Sequence, residues 1–172
     1  MSVEEAERAG EERAGAYSGY AEPDERPPFA AYATFALVFN GALAGAIVTA
    51  KRSGRDLPQR VELQDLALIG TASHKLSRLV AKKKITAFVR APFTELQGQG
   101  GPAEVEEKAR GRGLRRAVGE LLICPYCLGL WASGGFHAGL LFAPRSTRFT
   151  ASVLSAMTIS DFLQIAYKAV ED

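Results

Sequence analysis

The sequence predicts an all-α integral membrane protein with four transmembrane helices, a basic cytoplasmic loop and a short interfacial helix. Two long apolar runs are the first observations that predict it. Residues 29–50 contain no charged side chain, and the only ionisable groups of residues 124–143 are two thiols, Tyr126 and His137. Runs of about 18 or more such residues match a hydrocarbon core about 30 Å thick. A soluble bundle would have little polar surface left to cover both runs.

The distribution of charge is the third observation. Residues 1–28 carry three Arg and eight acidic side chains, whereas residues 51–116 carry fifteen Lys or Arg and seven acidic side chains. Lys and Arg close to a span are retained in the cytoplasm. The basic block has few interleaved aromatic residues beyond Phe88 and Phe93, so we expect no nucleic-acid partner. Its expected partners are anionic lipid headgroups.

The chain begins with an acidic tail and a first span. Residues 1–28 lack the positive region and apolar core of a cleavable signal peptide and are predicted to be disordered. Residues 29–50 form the first predicted transmembrane helix. Gly41 and Gly45 lie four residues apart in it, a spacing that lets another helix approach closely.

The next segment, residues 61–81, allows two interpretations. Its central part is uncharged, and long cationic side chains near its end can reach the interface, which allows about 20 residues to cross the membrane. The alternative is an amphipathic helix on the cytoplasmic surface. A cytoplasmic loop follows over residues 82–123. Because residues 95–113 are rich in glycine and charge, we expect a flexible loop there, and then a short interfacial helix over residues 114–123.

Two further spans complete the chain, over residues 124–143 and 149–170. The first of them carries Gly135 and Gly139, again four residues apart, and the second is interrupted by Asp161. With the basic loop in the cytoplasm, the last span returns there, so the C-terminus is cytoplasmic. With four spans, the N-terminus is cytoplasmic too, and the protein is a multi-pass protein of the cell membrane.

A pair of cysteines marks the start of the third predicted span. Cys124 and Cys127 are one helical turn apart, so their side chains share a face. Pro125 suits the first turn of a helix, which makes Cys124 the predicted N-cap. There the helix dipole and the nearby Arg115 and Arg116 would favour a thiolate.

Three interpretations of the cysteines remain open. A redox pair needs this spacing. A zinc or iron site needs more ligands than the two thiols, from a second copy or from a side chain such as His74. The third interpretation is packing at a helix start, with no cofactor bound.

Ionisable residues inside the predicted spans form a candidate polar cluster. At about 1.5 Å per residue, His74, Lys75 and Asp161 all lie about 9 to 11 Å from the cytoplasmic boundary. Asp161 is therefore expected to pair with Lys75 or His74, and Arg78 is expected to pair with Glu120 nearer the surface. Such charges mark either a proton or ion path or a dry packing contact.

Three stretches of sequence resemble one bacterial membrane-protein family, catalogued as domain of unknown function 1360. The resemblance covers about residues 61–170 and implies that the second segment is a true span. It brings no known activity, cofactor or substrate. The resemblance rests on Thr-Ala-Ser-His-Lys-Leu-Ser-Arg-Leu-Val at residues 71–80, on residues 84–93 and on residues 111–131.

The predicted organisation is an acidic tail (1–28), an added transmembrane helix (29–50) and a family-like membrane domain (61–172). The leading functional hypothesis is a non-enzymatic scaffold or assembly factor that binds a membrane protein, a cytoplasmic protein or a second copy of itself. The alternative is a thiol-redox or metal-binding protein that uses Cys124 and Cys127. A weaker alternative is a small proton or ion pathway through the polar cluster.

Overall fold

The computed structural model describes residues 20–21 and 26–171. The tail predicted over residues 1–28 lies outside the described residues, apart from 20–21 and 26–28. The described chain is mostly helical, as predicted, with one small sheet. Its elements are α1 (Phe29–Arg52), α2 (Leu63–Lys82), a 3-10 turn (Lys84–Thr86), α3 (Ala87–Arg90), β1 (Thr94–Gln99), β2 (Val105–Ala109), α4 (Gly113–Ile123), α5 (Pro125–Phe142) and α6 (Pro144–Glu171).

Helix α2 is the central element of the fold. It packs along both α5 and α6, whereas α1 packs against α5 and α4. Because polar and small side chains occupy many of its buried positions, α2 approaches its neighbours closely. The buried positions of α2 recur every one to four residues, and they are Asp65, Ile69, Ala72, Ser73, Lys75, Ser77 and Ala81.

Of the helices in residues 26–171, α1 and α6 are long and apolar enough to cross a membrane. Helices α4 and α5 meet at an angle of 81° and supply a third crossing if the bent pair is counted as one span. The bend lies at Cys124, whose backbone is extended between the two helices. Length and composition therefore support a membrane protein with two or three crossings, and α2 does not pass the same test.

The four long helices alternate in direction. The side chain of Arg55, just after α1, donates hydrogen bonds to the carbonyl oxygens of Leu141 and Phe142, at 2.9 and 2.7 Å, at the end of α5. The ends of α1 and α5 therefore lie together, beside the start of α6. We call this the turn end of the bundle. Its opposite is the cap end, where α2 finishes and the β-strands begin.

The expected flexible loop over residues 95–113 is wrong, because most of it forms an antiparallel hairpin. Strand β1 pairs with β2 so that Thr94 lies opposite Ala109, with a bulge between Leu96 and Gly98. The glycines that indicated a loop supply the turn between the strands, where the N–H of Glu104 donates to the carbonyl of Gly101 at 2.9 Å. We call residues 83–112 the hairpin cap.

The predicted glycine packing is mostly absent among the residues that the structure describes. A Cβ built at Gly41, Gly45 or Gly135 meets no atom within 4 Å. Gly139 does lie in a contact, since a Cβ there would come within 2.6 Å of Oγ1 of Thr147 on the following helix. GxxxG spacing therefore fails to identify the faces that pack inside this fold.

Helix α1 uses aromatic contacts instead. The ring of Phe39 lies edge-on to Trp131 of α5, with 5.4 Å between ring centroids. The same ring covers Gly134, where an added Cβ would come within 2.8 Å of Cε2. Near the cap end, the hydroxyl of Tyr32 donates a hydrogen bond to the carboxylate of Glu120 on α4. These side chains attach α1 to the rest of the bundle.

Candidate functional site

A row of polar contacts joins α2 to α6, and we call it the polar seam. At the turn end, Arg148 donates two hydrogen bonds to the carboxylate of Asp65, at 2.8 and 2.7 Å. Towards the cap end, Nζ of Lys75 lies 2.5 Å from Oδ2 of Asp161. Between the two ion pairs, Ser155 and Thr158 donate to the carbonyl oxygens of Leu68 and Thr71, at 3.0 and 3.5 Å.

The order of charge along the polar seam fixes how the two helices align. Helix α2 carries its acid, Asp65, before its base, Lys75, whereas α6 carries its base, Arg148, before its acid, Asp161. Parallel packing, in which both helices run from the turn end to the cap end, therefore matches opposite charges at both ends of the seam. A shift of one helical turn would break both pairs at once.

Lys75 is the partner of Asp161, which is one of the two pairings expected from the sequence. Only 6% of the Lys75 side chain is exposed, against 50% for Asp161. His74, the other expected partner, lies on an exposed face of α2. Because a buried ammonium needs a counter-charge, the carboxylate of Asp161 is what makes the burial of Lys75 tolerable.

The expected pair between Arg78 and Glu120 is not formed. Arg78 instead donates to both carboxylate oxygens of Glu104, each at 2.8 Å. Glu120 accepts from Arg116 at 2.8 Å, one turn earlier in α4. The hairpin causes this difference, because it folds back over the end of α2 and brings an acid that is 26 residues away in sequence.

The electrostatics of Glu104 follow from this position. Burial alone would raise the pKa of its carboxyl group, but hydrogen bonds from Arg78 and Lys83 outweigh burial, so the pKa lies below its usual value of 4.5. Its side chain is 10% exposed. Glu104 is therefore an ionised link between the hairpin cap and α2.

A buried arginine fixes the hairpin cap to the end of α2. Arg90 is fully buried, and its guanidinium donates to the carbonyls of Val80 and Lys83 and to the hydroxyl of Thr86. It also pairs with the carboxylate of Glu107 on β2, whose side chain is 6% exposed. The last carbonyls of a helix have no partner within the helix. Arg90 satisfies the carbonyl of Val80 and links the end of α2 to the sheet.

Helix α4 packs tightly on the hairpin at Gly119. A Cβ added at this position would come within 2.5 Å of the carbonyl oxygen of Phe93 and within 2.9 Å of Cβ of Ala109. Arg115, one turn earlier, donates to the carbonyl of Pro92 at 2.8 Å. The hairpin cap is thus held from both sides, by α2 and by α4.

The cysteines lie where the sequence predicts a helix start. Cys124 is the N-cap of α5, and its Sγ accepts a hydrogen bond from the backbone N–H of Cys127 at 3.2 Å. Both thiols are free. The two arginines expected to favour a thiolate are occupied elsewhere, since Arg115 binds a backbone carbonyl and Arg116 binds the carboxylate of Glu120.

Metal-ligating side chains are not grouped in the described part of the chain. Among residues 20–21 and 26–171, no three His, Cys, Asp or Glu side chains lie together in an arrangement that would hold a metal ion. In particular, His74 does not form such a group with the two cysteines. A metal held by these thiols would need ligands from outside the described chain.

Comparison with known proteins identifies relatives of this chain. The profile of the family described as "Protein of unknown function (DUF1360)" matches residues 68–167. This chain belongs to the DUF1360 family. The match includes Lys75 and Asp161 as well as Arg90 and Glu107, whereas α1 lies before it. The family region therefore contains the inner part of the polar seam and the whole hairpin cap.

Two proteins of Bacillus subtilis (strain 168) are similar to this DUF1360 protein. The first is sporulation protein YjcA, 33% identical over 102 residues, which are 58% of this chain and 86% of YjcA. The second is UPF0713 protein YngL, 32% identical over 89 residues, which are 50% of this chain and 65% of YngL, just under two thirds of its length. No solved structure matches the chain.

Several residues of the site were missed by reasoning from sequence alone. Asp65 and Arg148 are not among the predicted site residues, and Glu104 and Glu107 fall in the segment for which a flexible loop is predicted. Arg90 carried a usable signal. It lies between the apolar residues Phe88 and Val89 on one side and Ala91 and Pro92 on the other, where a single charge must be either exposed alone or buried with partners.

Proposed function

We propose that this DUF1360 protein is a non-enzymatic membrane scaffold or assembly factor that crosses the membrane four times and presents the hairpin cap on the cytoplasmic side. One observation carries the proposal: the charged side chains at the centre of the fold bind each other across elements. Lys75 with Asp161, and Arg90 with Glu107, use their charges to hold helices and sheet in place. Charged side chains that are paired in this way stabilise the fold, and a stable fold presents a constant surface to a partner.

The fourth crossing in this proposal is α2. Its 20 residues span about 30 Å at about 1.5 Å per residue, the thickness of a hydrocarbon core. The charges that lower its hydropathy are paired: Asp65 with Arg148, Lys75 with Asp161, and Arg78 with Glu104. Paired charges that face neighbouring helices are tolerated in a span, whereas the same charges facing lipid are not.

The alternating helix directions support the proposed orientation. Helix α1 begins beside α4 at the cap end, and α6 runs parallel to α2 and ends there too. The hairpin cap and α4 carry most of the basic side chains of the loop, so the positive-inside rule favours a cytoplasmic cap end. Both ends of the chain would then be cytoplasmic. The proposed partners are the bilayer, anionic headgroups and a membrane or cytoplasmic protein, which includes a second copy.

Cysteine labelling tests the topology. In a chain with Cys124→Ser and Cys127→Ser, single cysteines replace Arg60 near the turn end and Lys108 on the hairpin cap, both exposed positions. A membrane-impermeant maleimide should label the cysteine at position 60 in intact cells and the cysteine at position 108 only after the membrane is opened. Labelling of both positions from the same side would contradict four crossings.

The same cysteine-free chain separates a scaffold from a thiol-dependent protein. Cells that lack the gene should recover their normal phenotype with the Cys124→Ser, Cys127→Ser chain as fully as with the native chain. A matched variant that disrupts the cap, Arg90→Met, should fail to restore it even when the protein is present in the membrane. Failure of the serine variant with normal protein levels would favour redox or metal chemistry instead.

A further inference from the structure

The segment that follows α2 has its polar and apolar faces reversed. Arg90 is 0% exposed and points into the protein, and the hydroxyl of Thr86 donates to the carbonyl of Lys83 at 3.0 Å on the same inner side. On the outer side, Ile85 and Phe88 are 76% and 77% exposed. A water-facing turn normally shows the opposite arrangement, with charge outside and aliphatic or aromatic side chains inside.

This reversal indicates what surrounds the segment. Large apolar side chains that cluster at the surface mark contact with a membrane or another protein. Here Val89, 42% exposed, joins Ile85 and Phe88 within two turns of chain, and Lys84 is exposed at the start of the same segment. Apolar side chains beside an exposed cation match the headgroup region of an anionic bilayer, where rings and aliphatic groups enter the lipid and the cation binds phosphate.

The position of the segment favours the bilayer over a protein partner. It starts two residues after the end of α2, a helix of the membrane bundle, and Arg90 holds it against the last carbonyls of that helix. A segment fixed at this point lies at the depth of the headgroups if α2 crosses the membrane. We propose that Ile85, Phe88 and Val89 insert into the cytoplasmic headgroup region and that Lys84 binds an anionic lipid phosphate. This proposal rests on the four-span arrangement and adds a lipid contact to it.

The insertion has a consequence for the hairpin cap. Arg90 and Glu107 fix the cap to α2, and the inserted segment would fix it to the bilayer surface as well. Both attachments act on the same few residues, so the cap would be held at one height and one tilt relative to the membrane. The surface that it presents to the cytoplasm would then be constant.

Tryptophan fluorescence tests the proposal on the full chain. In a Trp131→Phe background, which retains a ring against Phe39, one variant carries Phe88→Trp and a matched control carries Lys108→Trp on the exposed side of the same cap. Both are reconstituted into vesicles of phosphatidylcholine and phosphatidylglycerol. Lipids brominated near the top of the acyl chain should remove most of the emission at position 88 and little at position 108, and aqueous iodide should do the reverse.

Two outcomes would overturn the insertion. Quenching of position 88 by iodide as strongly as position 108 would mean that the segment faces water, and protection from both quenchers would mean that protein covers it. The role of Lys84 has its own readout, since bromolipid quenching at position 88 should be stronger with phosphatidylglycerol than without it, and Lys84→Gln should abolish that difference. The maleimide experiment on positions 60 and 108 reports the topology independently, so failure of the insertion and failure of the four-span arrangement are distinguishable.

Discussion

Nζ of Lys75 lies 2.5 Å from Oδ2 of Asp161, and this contact joins the central helix to the last helix of the chain. The side chain of the lysine is buried, whereas that of the aspartate is half exposed. The two residues are 86 positions apart in sequence. The pair therefore reports directly on whether α2 and α6 have assembled.

Asp161→Asn should destabilise the protein, because it removes the counter-charge from a buried ammonium. Loss of one charged hydrogen bond in such a pair costs about 2 kcal/mol. Thermal unfolding in detergent measures the change. Lys75→Met combined with Asp161→Leu should be less destabilised than Asp161→Asn alone, since no unpaired charge is left. If Asp161→Asn instead left stability unchanged and stopped proton flux in reconstituted vesicles, the pair would be part of a pathway.

Exchanging the charges at the other end of the polar seam should preserve it. Asp65→Arg alone places two arginines together, and Arg148→Asp alone places two acids together, so each should lower the unfolding temperature. The double exchange restores an opposite pair and should recover most of the loss. Additive losses in the double variant would show that the two side chains do not interact in solution.

Acid should weaken the link between the hairpin cap and α2 through Glu104. Its pKa is lowered in the folded protein, so its contribution to stability is complete at neutral pH and is lost as the pH falls from the ordinary value of 4.5 through the lowered pKa. Unfolding temperatures followed downward from neutral pH measure this loss. Glu104→Gln should start less stable and show a shallower decline. An unchanged acid profile in that variant would assign the loss to other carboxylates.

Gly119→Ala should destabilise the packing of α4 on the hairpin. The new methyl group would lie 2.5 Å from a backbone oxygen, and relief requires movement of the helix or the strand, which costs about 1 to 3 kcal/mol. Gly135→Ala is the matched control, because its Cβ meets nothing within 4 Å and helix propensity favours Ala by up to about 1 kcal/mol. Equal stability of the two variants would contradict the close contact at Gly119.

A packing role for the cysteines, which fits the proposed scaffold, predicts a mild effect of their removal. Cys124→Ser keeps an acceptor at the N-cap of α5 and should change stability little, whereas Cys124→Ala should cost about 1 kcal/mol. Protein purified without chelator or reductant should contain two free thiols and no bound metal. Stoichiometric zinc or iron that disappears with either Cys→Ser change would replace this role with a metal site shared between molecules.

Structural features that arise from a local signal or from regular helix geometry could be predicted from the sequence. The N-cap at Cys124 follows from the adjacent Pro125, and the Lys75 and Asp161 contact follows from equal depth along two regular helices. The hairpin had no comparable local signal, since its glycines and charges are those of a loop. Its stability comes from partners outside the two strands, such as Arg90 for Glu107 and Arg78 for Glu104.

The glycines of α1 show that a clear local pattern can also mislead. Gly41 and Gly45 have the spacing of a packing motif, but spacing does not say which side of a helix meets a neighbour. The face of α1 that packs against α5 is the one that carries Phe39, whose ring contacts Trp131 and Gly134. A pattern within one helix cannot contain that information.

The polar seam also constrains the order in which the helices are inserted into the membrane during translation. Helix α2 leaves the ribosome long before α6, which carries the partners of both Asp65 and Lys75. Until α6 has been synthesised, Asp65 and Lys75 of α2 have no partners on that helix. Insertion of α2 into the hydrocarbon core is therefore unfavourable. In the proposed four-span arrangement, its final placement in the bilayer therefore waits for the end of translation. Chains that stop before α6 should be recognised by membrane quality control as incomplete.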